Sequence, residues 1–507
     1  MSVLQAKAWS QETHSSSVET VTSATSVPAA ASPSEQVHSG TGGHGEEAHV
    51  HHEVPSLFWI LPFVALLLCI ALLPLIHATE HWWEHNSSKL QVALALAAIT
   101  TLYYFFRRFG FPHGDHALDP GLATVMGMLH HAVIGDYIPF IVLLFSLFVI
   151  SGGIRVTGDV PAHPRTNTAI LALGGLLASF IGTTGAAMLL IRPLLQINQE
   201  RQRVSHTVIF FIFIVCNVGG SLLPIGDPPL FLGYLRGVPF LWTFHLVVEW
   251  AFCLAILLAV YYIWDTWAWR KEKPVAVDLD ETFKEPIRIQ GGINFLFLLG
   301  IVFEVGLLVP GKKLLGWEVP HLSPLGLREM SQLVLAALSM LLTSKAIREA
   351  NKFNFTPIGE VACLFIGIFI TMQAPIEILN AKGPELGLTT PAQFFWASGI
   401  LSSFLDNAPT YVVYFQTAGT LPWPNPNEMM SGVQTATGSI PIPLLTAVSL
   451  GSVFMGANTY IGNGPNFMVK SIAESAGVKM PSFFGYMLYS VGILIPIFIL
   501  VTFIFMM

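Results

Sequence analysis

From Val54 to the C-terminus, apolar runs of membrane-spanning length alternate with short polar segments. Eight runs read as simple spans, at about 56–76, 89–106, 136–153, 240–264, 292–310, 327–344, 356–373 and 483–506, since roughly 20 apolar residues in a helix cross a bilayer core. Four others are interrupted. The run 168–198 breaks at Ser179-Phe180-Ile181-Gly182-Thr183-Thr184-Gly185, and 391–420 at Ser403-Phe404-Leu405-Asp406-Asn407-Ala408-Pro409. Both read as re-entrant hairpins. The runs 205–235 and 443–474 break at Gly226-Asp227-Pro228-Pro229 and Gly462-Asn463-Gly464-Pro465-Asn466 and read as broken helices. Lipid tolerates no unpaired backbone polar groups, so such breaks need cover from protein or a water-filled cavity. Paired breaks in two halves point to a transporter's substrate site.

The order of hairpin, broken helix and final span occurs twice, and Gly237-Val238 with Pro239 is echoed by Gly477-Val478 with Pro481. Each half therefore holds an odd number of crossings plus one hairpin, which inverts the second half in the membrane. The expected fold is an all-α membrane protein of about ten transmembrane helices plus two re-entrant hairpins. Its inverted repeats are 55–264 and 291–507, joined by a charged linker at 265–290. The stretches 117–134 and 374–388 are mixed in polarity and read as interfacial helices. Lys and Arg in the loops favour an N-terminal tail on the outer side, although Arg107-Arg108 argues the other way.

Composition agrees with this class: 53 % hydrophobic and 11 % charged residues, where a soluble domain has about 25 % charged. The net charge of −7 sits in loops, and no basic stripe suggests nucleic acid. Residues 1–54, rich in Ser, Thr and Gly, are expected to be disordered. Their histidines His38, His44, His49, His51 and His52 fit either weak metal binding or an ordinary soluble tail. Cys69, Cys216, Cys253 and Cys363 each lie in an apolar run without metal spacing and read as packing residues.

A cation at membrane depth needs hard oxygen ligands: carboxylate, amide, hydroxyl and freed carbonyl. The breaks supply them. Asp406 and Asn407 sit at the second hairpin tip, Thr183 and Thr184 at the first. Asn217, Ser221 and Asp227 line the first broken helix; Asn458, Thr459, Asn463 and Asn466 line the second. Pro409 is expected to hold Ala408 extended and keep the tip non-helical. An intramembrane carboxylate is costly and marks function by default, which makes Asp406 the sharpest candidate. It would take either a proton or Na+, yet it also fits a plain helix N-cap. Asp227 in Gly-Asp-Pro-Pro fits a ligand or a backbone-bonding turn equally. Glu360 and Glu304 are candidate proton relays beside Asp406, and structural roles fit them as well.

Ser402-Ser403-Phe404-Leu405-Asp406-Asn407-Ala408-Pro409-Thr410 resembles the signature hairpin of NhaD-type sodium/proton antiporters, members of the ion transporter superfamily alongside arsenite permeases and citrate or dicarboxylate carriers. Gly456-Ala457-Asn458-Thr459 with Gly462-Asn463-Gly464-Pro465-Asn466, and Gly219-Gly220-Ser221 with Gly226-Asp227-Pro228-Pro229, resemble that superfamily's broken helices. The resemblance covers roughly 55–507. It implies Na+ (or Li+) exchanged for H+, an elevator motion, a homodimer in the lipid bilayer of a bacterial inner membrane, and Na+ at Asp406 and Asn407. No cofactor beyond the transported Na+ and H+ is implied. The first hairpin departs from the pattern: Gly182-Thr183-Thr184 lacks the Asp-Asn of the second and is closer to the hydroxyl-rich hairpin of dicarboxylate carriers. Sodium-coupled citrate or dicarboxylate uptake is therefore the alternative, with an arsenite or other oxyanion permease third. No nucleophile elbow, phosphate loop or metalloprotease motif suggests an enzyme.

Overall fold

The computed structural model describes residues 54–507, except 114–115, 276–279, 281, 283–284, 315, 321, 323–324 and 423–431. The tail and its histidines lie outside the described residues. Among those described, helices dominate. Four are long and apolar enough to cross a membrane: Asn86–Phe106, Leu122–Ser151, Phe240–Trp269 and Phe483–Phe505. A fifth span is formed if Thr356–Thr371 and Gln373–Leu386, bent by 41°, count as one. Shorter apolar helices include Leu57–Leu72, Ile293–Leu307 and Ile442–Asn458. The chain is a multi-pass membrane protein.

Leu122–Ser151 differs from its sequence reading, which divided it into an interfacial stretch and a span. Eight residues, His130–Tyr137, continue the helix as a π-helix. Pro139, two residues past Tyr137, lacks the N–H that would bond the carbonyl four residues back. The wider π turn accommodates that missing bond, and such turns gather at functional positions. Elsewhere small residues set the packing. At Gly367 an added Cβ would lie 2.7 Å from the Cβ of Ala93, so Thr356–Thr371 approaches Asn86–Phe106 closely. Lys89 Nζ and Glu360 Oε1, 2.7 Å apart, join the same two helices.

The linker is not free chain throughout. Glu285–Gln290 pairs antiparallel with Arg155–Asp159, with Arg155 opposite Gln290 and Asp159 opposite Glu285. Three further two-stranded ribbons occur among the described residues. The all-helical expectation missed them because each is a short turn-bounded segment between spans.

Both hairpins form as two helices with a non-helical joint. In the first, Pro164–Ile181 and Thr183–Ile197 meet at Gly182, whose φ of +79° only glycine adopts without strain. In the second, Pro391–Phe404 and Asn407–Thr420 meet at Leu405, which is extended, and Asp406, which is also non-helical. Ala408 is helical, contrary to the expectation from Pro409, because a proline in the first helical turn costs little. The broken helices run Ser205–Ile214, Val218–Ser221, Pro228–Leu235 and Ile442–Met455, Gly456–Asn458, Gly464–Ser475. Their crossings are tight: a Cβ on Gly226 would lie 2.3 Å from Gly220 O, and one on Gly462 2.5 Å from Gly456 O.

Candidate cation and substrate site

The two hairpins and two broken helices meet at Asp227, which is 1 % exposed. Asp227 is the N-cap of Pro228–Leu235. Its Oδ1 accepts from Thr183 Oγ1 at 2.9 Å and Asn463 Nδ2 at 3.2 Å. Its Oδ2 accepts from Asn407 Nδ2 at 2.6 Å. Thr183 and Asn407 are the first helical residues after the two hairpin joints, and Asn463 caps Gly464–Ser475. Each of the four interrupted elements thus contributes one residue to a single carboxylate. Every donor is neutral, and among the described residues no Lys or Arg donates to it.

Three asparagine amides, Asn463, Asn217 and Asn466, link this group to the backbone of the broken helices. Asn463 Nδ2 also reaches Cys216 O at 2.9 Å and Asn217 Oδ1 at 3.3 Å. Asn217 Nδ2 donates to Asn466 Oδ1 and Ile212 O, both at 2.8 Å. Asn466 Nδ2 donates to Gly456 O and Thr459 O, both at 2.9 Å. The broken ends thereby exchange backbone bonds for side-chain bonds, as burial requires.

Serines tie each hairpin to its own broken helix in matching ways. Ser179 Oγ donates to Gly219 O at 2.5 Å, and Ser403 Oγ donates to Met455 O at 3.2 Å. On the second side Asn458 Nδ2 donates to Ser403 Oγ at 2.9 Å and Thr459 Oγ1 to Ser403 O at 2.5 Å. Two carbonyl oxygens remain unclaimed: Asn407 Oδ1 and Asn458 Oδ1 are buried with no hydrogen-bond partner among the described residues. A buried acceptor without a donor is costly, and a cation satisfies it as well as a donor does.

Other candidates lie apart from this centre. Asp406 is half-buried and caps Asn407–Thr420, accepting from Ala408 N at 3.0 Å, while Thr410 Oγ1 donates to its carbonyl at 3.0 Å. It is one residue from Asn407, so its carboxylate borders the site without joining the ring around Asp227. Thr184 is half-buried and not among Asp227's partners. Ser221 donates to Val218 O within its own turn. Glu360 pairs with Lys89 between two outer helices. Glu304, on Ile293–Leu307, has one buried carboxyl oxygen with no hydrogen-bond partner among the described residues.

Sequence reasoning passed over Ser490, which donates to Asn458 O at 2.7 Å, and Tyr486, which donates to Ala457 O at 2.8 Å. A few scattered hydroxyls (Tyr486, Tyr489, Ser490 and Thr502) in a 23-residue apolar helix carry no periodic signal. Ser179 and Ser403 were legible only as members of the paired breaks.

The interrupted elements and their convergence on one buried acidic residue are features of a carrier. Residues 51–506 match the family described as "Putative citrate transport". The chain belongs to this family. That membership covers both hairpins and both broken helices and makes the chain a member of a transporter family within the citrate-transporter-like group. No curated protein sequence matches the chain.

Proposed function

We propose that this member of the family exchanges Na+ (or Li+) for H+ at the site around Asp227, Asn407, Thr183 and Asn463, with Asp406 at its edge as a second carboxylate. The observation that carries this reading is the setting of Asp227: buried and, among the described residues, bonded only to neutral donors with no basic partner. A carboxylate in that position needs a proton or a cation to offset its charge. Competition of the two for one group is the minimum that exchange requires. The unclaimed oxygens of Asn407 and Asn458 supply ligands of the hard type that Na+ takes.

We further propose that the halves are inverted repeats, that the four interrupted elements move as a unit in an elevator cycle, and that the protein is a homodimer in a bacterial inner membrane with its tail outside. The matched Ser179–Gly219 and Ser403–Met455 bonds support the repeat. The second reading is sodium-coupled citrate uptake. It draws on the family description and on four helix N-termini facing one centre, an arrangement that attracts anions. Proteoliposomes with an acidic lumen and a pH-sensitive dye test both. Dissipation by sodium or lithium, and not by potassium, supports exchange. Sodium flux that requires citrate overturns exchange in favour of uptake.

A further inference from the structure

The helix Pro228–Leu235 carries Asp227 at its start and a buried ion pair at its end. Arg236, its C-cap residue, is 7 % exposed, and Arg236 Nη2 donates to Asp136 Oδ2 at 3.0 Å; Asp136 is 6 % exposed. Asp136 sits in the π segment of Leu122–Ser151, a helix outside the four interrupted elements. Two residues earlier, Tyr234 Oη donates to Val305 O on Ile293–Leu307. The eight-residue rod is about 12 Å long at 1.5 Å per residue. At one end it holds the site carboxylate, and at the other it is fastened to two outer helices. Toward that second end it is pressed against the second hairpin, since a Cβ on Gly233 would lie 2.3 Å from Tyr411 Oη.

We infer that Asp136 and Arg236 are positioning residues for transport: their ion pair sets the axial position of Pro228–Leu235, and through it the place of Asp227 in the substrate site. Taking both charges out of water is expensive, and a hydrophobic pair of the same volume packs as well. What an ion pair adds is a defined register between two helices in the state described, a register that the proposed elevator movement would break and form again. The π turn gives that register its aim by turning Asp136 off the regular helical path. Slippage of the rod would move Asp227 relative to Thr183, Asn407 and Asn463, which are anchored on other elements.

This inference takes its substrate from the proposed exchange. The test compares Asp136→Asn, Arg236→Gln and the exchanged pair D136R/R236D in proteoliposomes, with flux normalised to folded protein. The Na+ concentration at half-maximal proton flux should rise at least tenfold in each single variant. Maximal flux should change less than threefold, and the exchanged pair should return the half-maximal concentration to within threefold. A merely structural pair would lower the yield of folded protein and leave that concentration unmoved, which would overturn the inference. Should both single variants fail to fold, Arg236→Lys decides: charge is kept and reach is changed, so a threefold or larger rise supports the inference and an unchanged value overturns it. If the unaltered protein moves no sodium, exchange has failed, and the same comparison is read with citrate uptake.

Discussion

Asn407 and Asp227 lie 180 residues apart in sequence, and the amide of the first donates to the carboxylate of the second at 2.6 Å. The bond joins the second hairpin to the first broken helix. It makes the candidate site a joint product of the two halves, since both contribute residues to it. It also orders the acidic residues by role. Asp227 is enclosed by all four elements, while Asp406 caps a helix at the border.

Removing charge at the two positions should separate these roles. Asp227→Asn should reduce sodium-driven proton flux at least about tenfold, the equivalent of 1.4 kcal/mol. Asp406→Asn keeps an N-cap of equal quality, so its thermal midpoint in detergent should stay near that of the parent. Any loss of flux there then reports charge alone. Unchanged flux in Asp227→Asn would remove Asp227 from the mechanism.

Thr183 supplies a hydroxyl, and its shape is reproduced by valine. Thr183→Val leaves Asp227 Oδ1 with Asn463 as its remaining side-chain donor. Loss of one partner to a buried charged group costs about 1–3 kcal/mol. Thr183→Ser keeps the donor and should retain most flux, whereas Thr183→Val should not. Equal flux in the two would show that methyl packing, rather than the hydroxyl, matters at this tip.

Gly233 faces Tyr411 so closely that any side chain there meets its hydroxyl. Gly233→Ala should destabilise the protein by about 1–3 kcal/mol through overpacking. Tyr411→Phe removes the nearest atom and should recover part of that loss. Thermal unfolding of the two single variants and the double variant measures the coupling, and strict additivity would refute the contact.

Asp159 lies outside the spans, at the strand pair between Arg155–Asp159 and Glu285–Gln290. Burial, then the charges of Glu200, Asp280 and Glu285, raise its pKa above the ordinary carboxylate value. The folded state therefore holds the proton more tightly than the unfolded chain, and stability falls as pH rises from that ordinary value through the raised one. Asp159→Asn should stabilise the protein at pH 7. The gain should vanish below about pH 4, where both states are protonated. A gain that persists at low pH would assign the effect to something other than ionisation.

The membrane class, the two hairpins and the two broken helices were legible because each carries a polar break in an apolar run. Asp227, Asn407, Thr183, Asn463, Asn217 and Asn466 were legible as candidates for the same reason. Their ranking was not. Asp406 stood out at a hairpin tip, yet which carboxylate lies at the centre depends on how four elements cross. That is set by contacts such as Gly220 with Gly226, which spacing along the chain does not encode. The π segment escaped notice because its two histidines made the stretch look interfacial. The strand pair at Arg155–Asp159 escaped because its partner lies in a linker that reads only as charged.

That strand pair also bears on how the chain assembles. Arg348 Nη1 reaches Val149 O at 2.7 Å across 199 residues. Once Glu285–Gln290 lies along Arg155–Asp159, the chain path between those two residues shortens to about sixty residues, which lowers the loop-closure entropy by about 1 kcal/mol. The linker thus acts as a basting stitch. It brings the start of the second half to the foot of the first hairpin, and contacts that would each close a long loop become local ones.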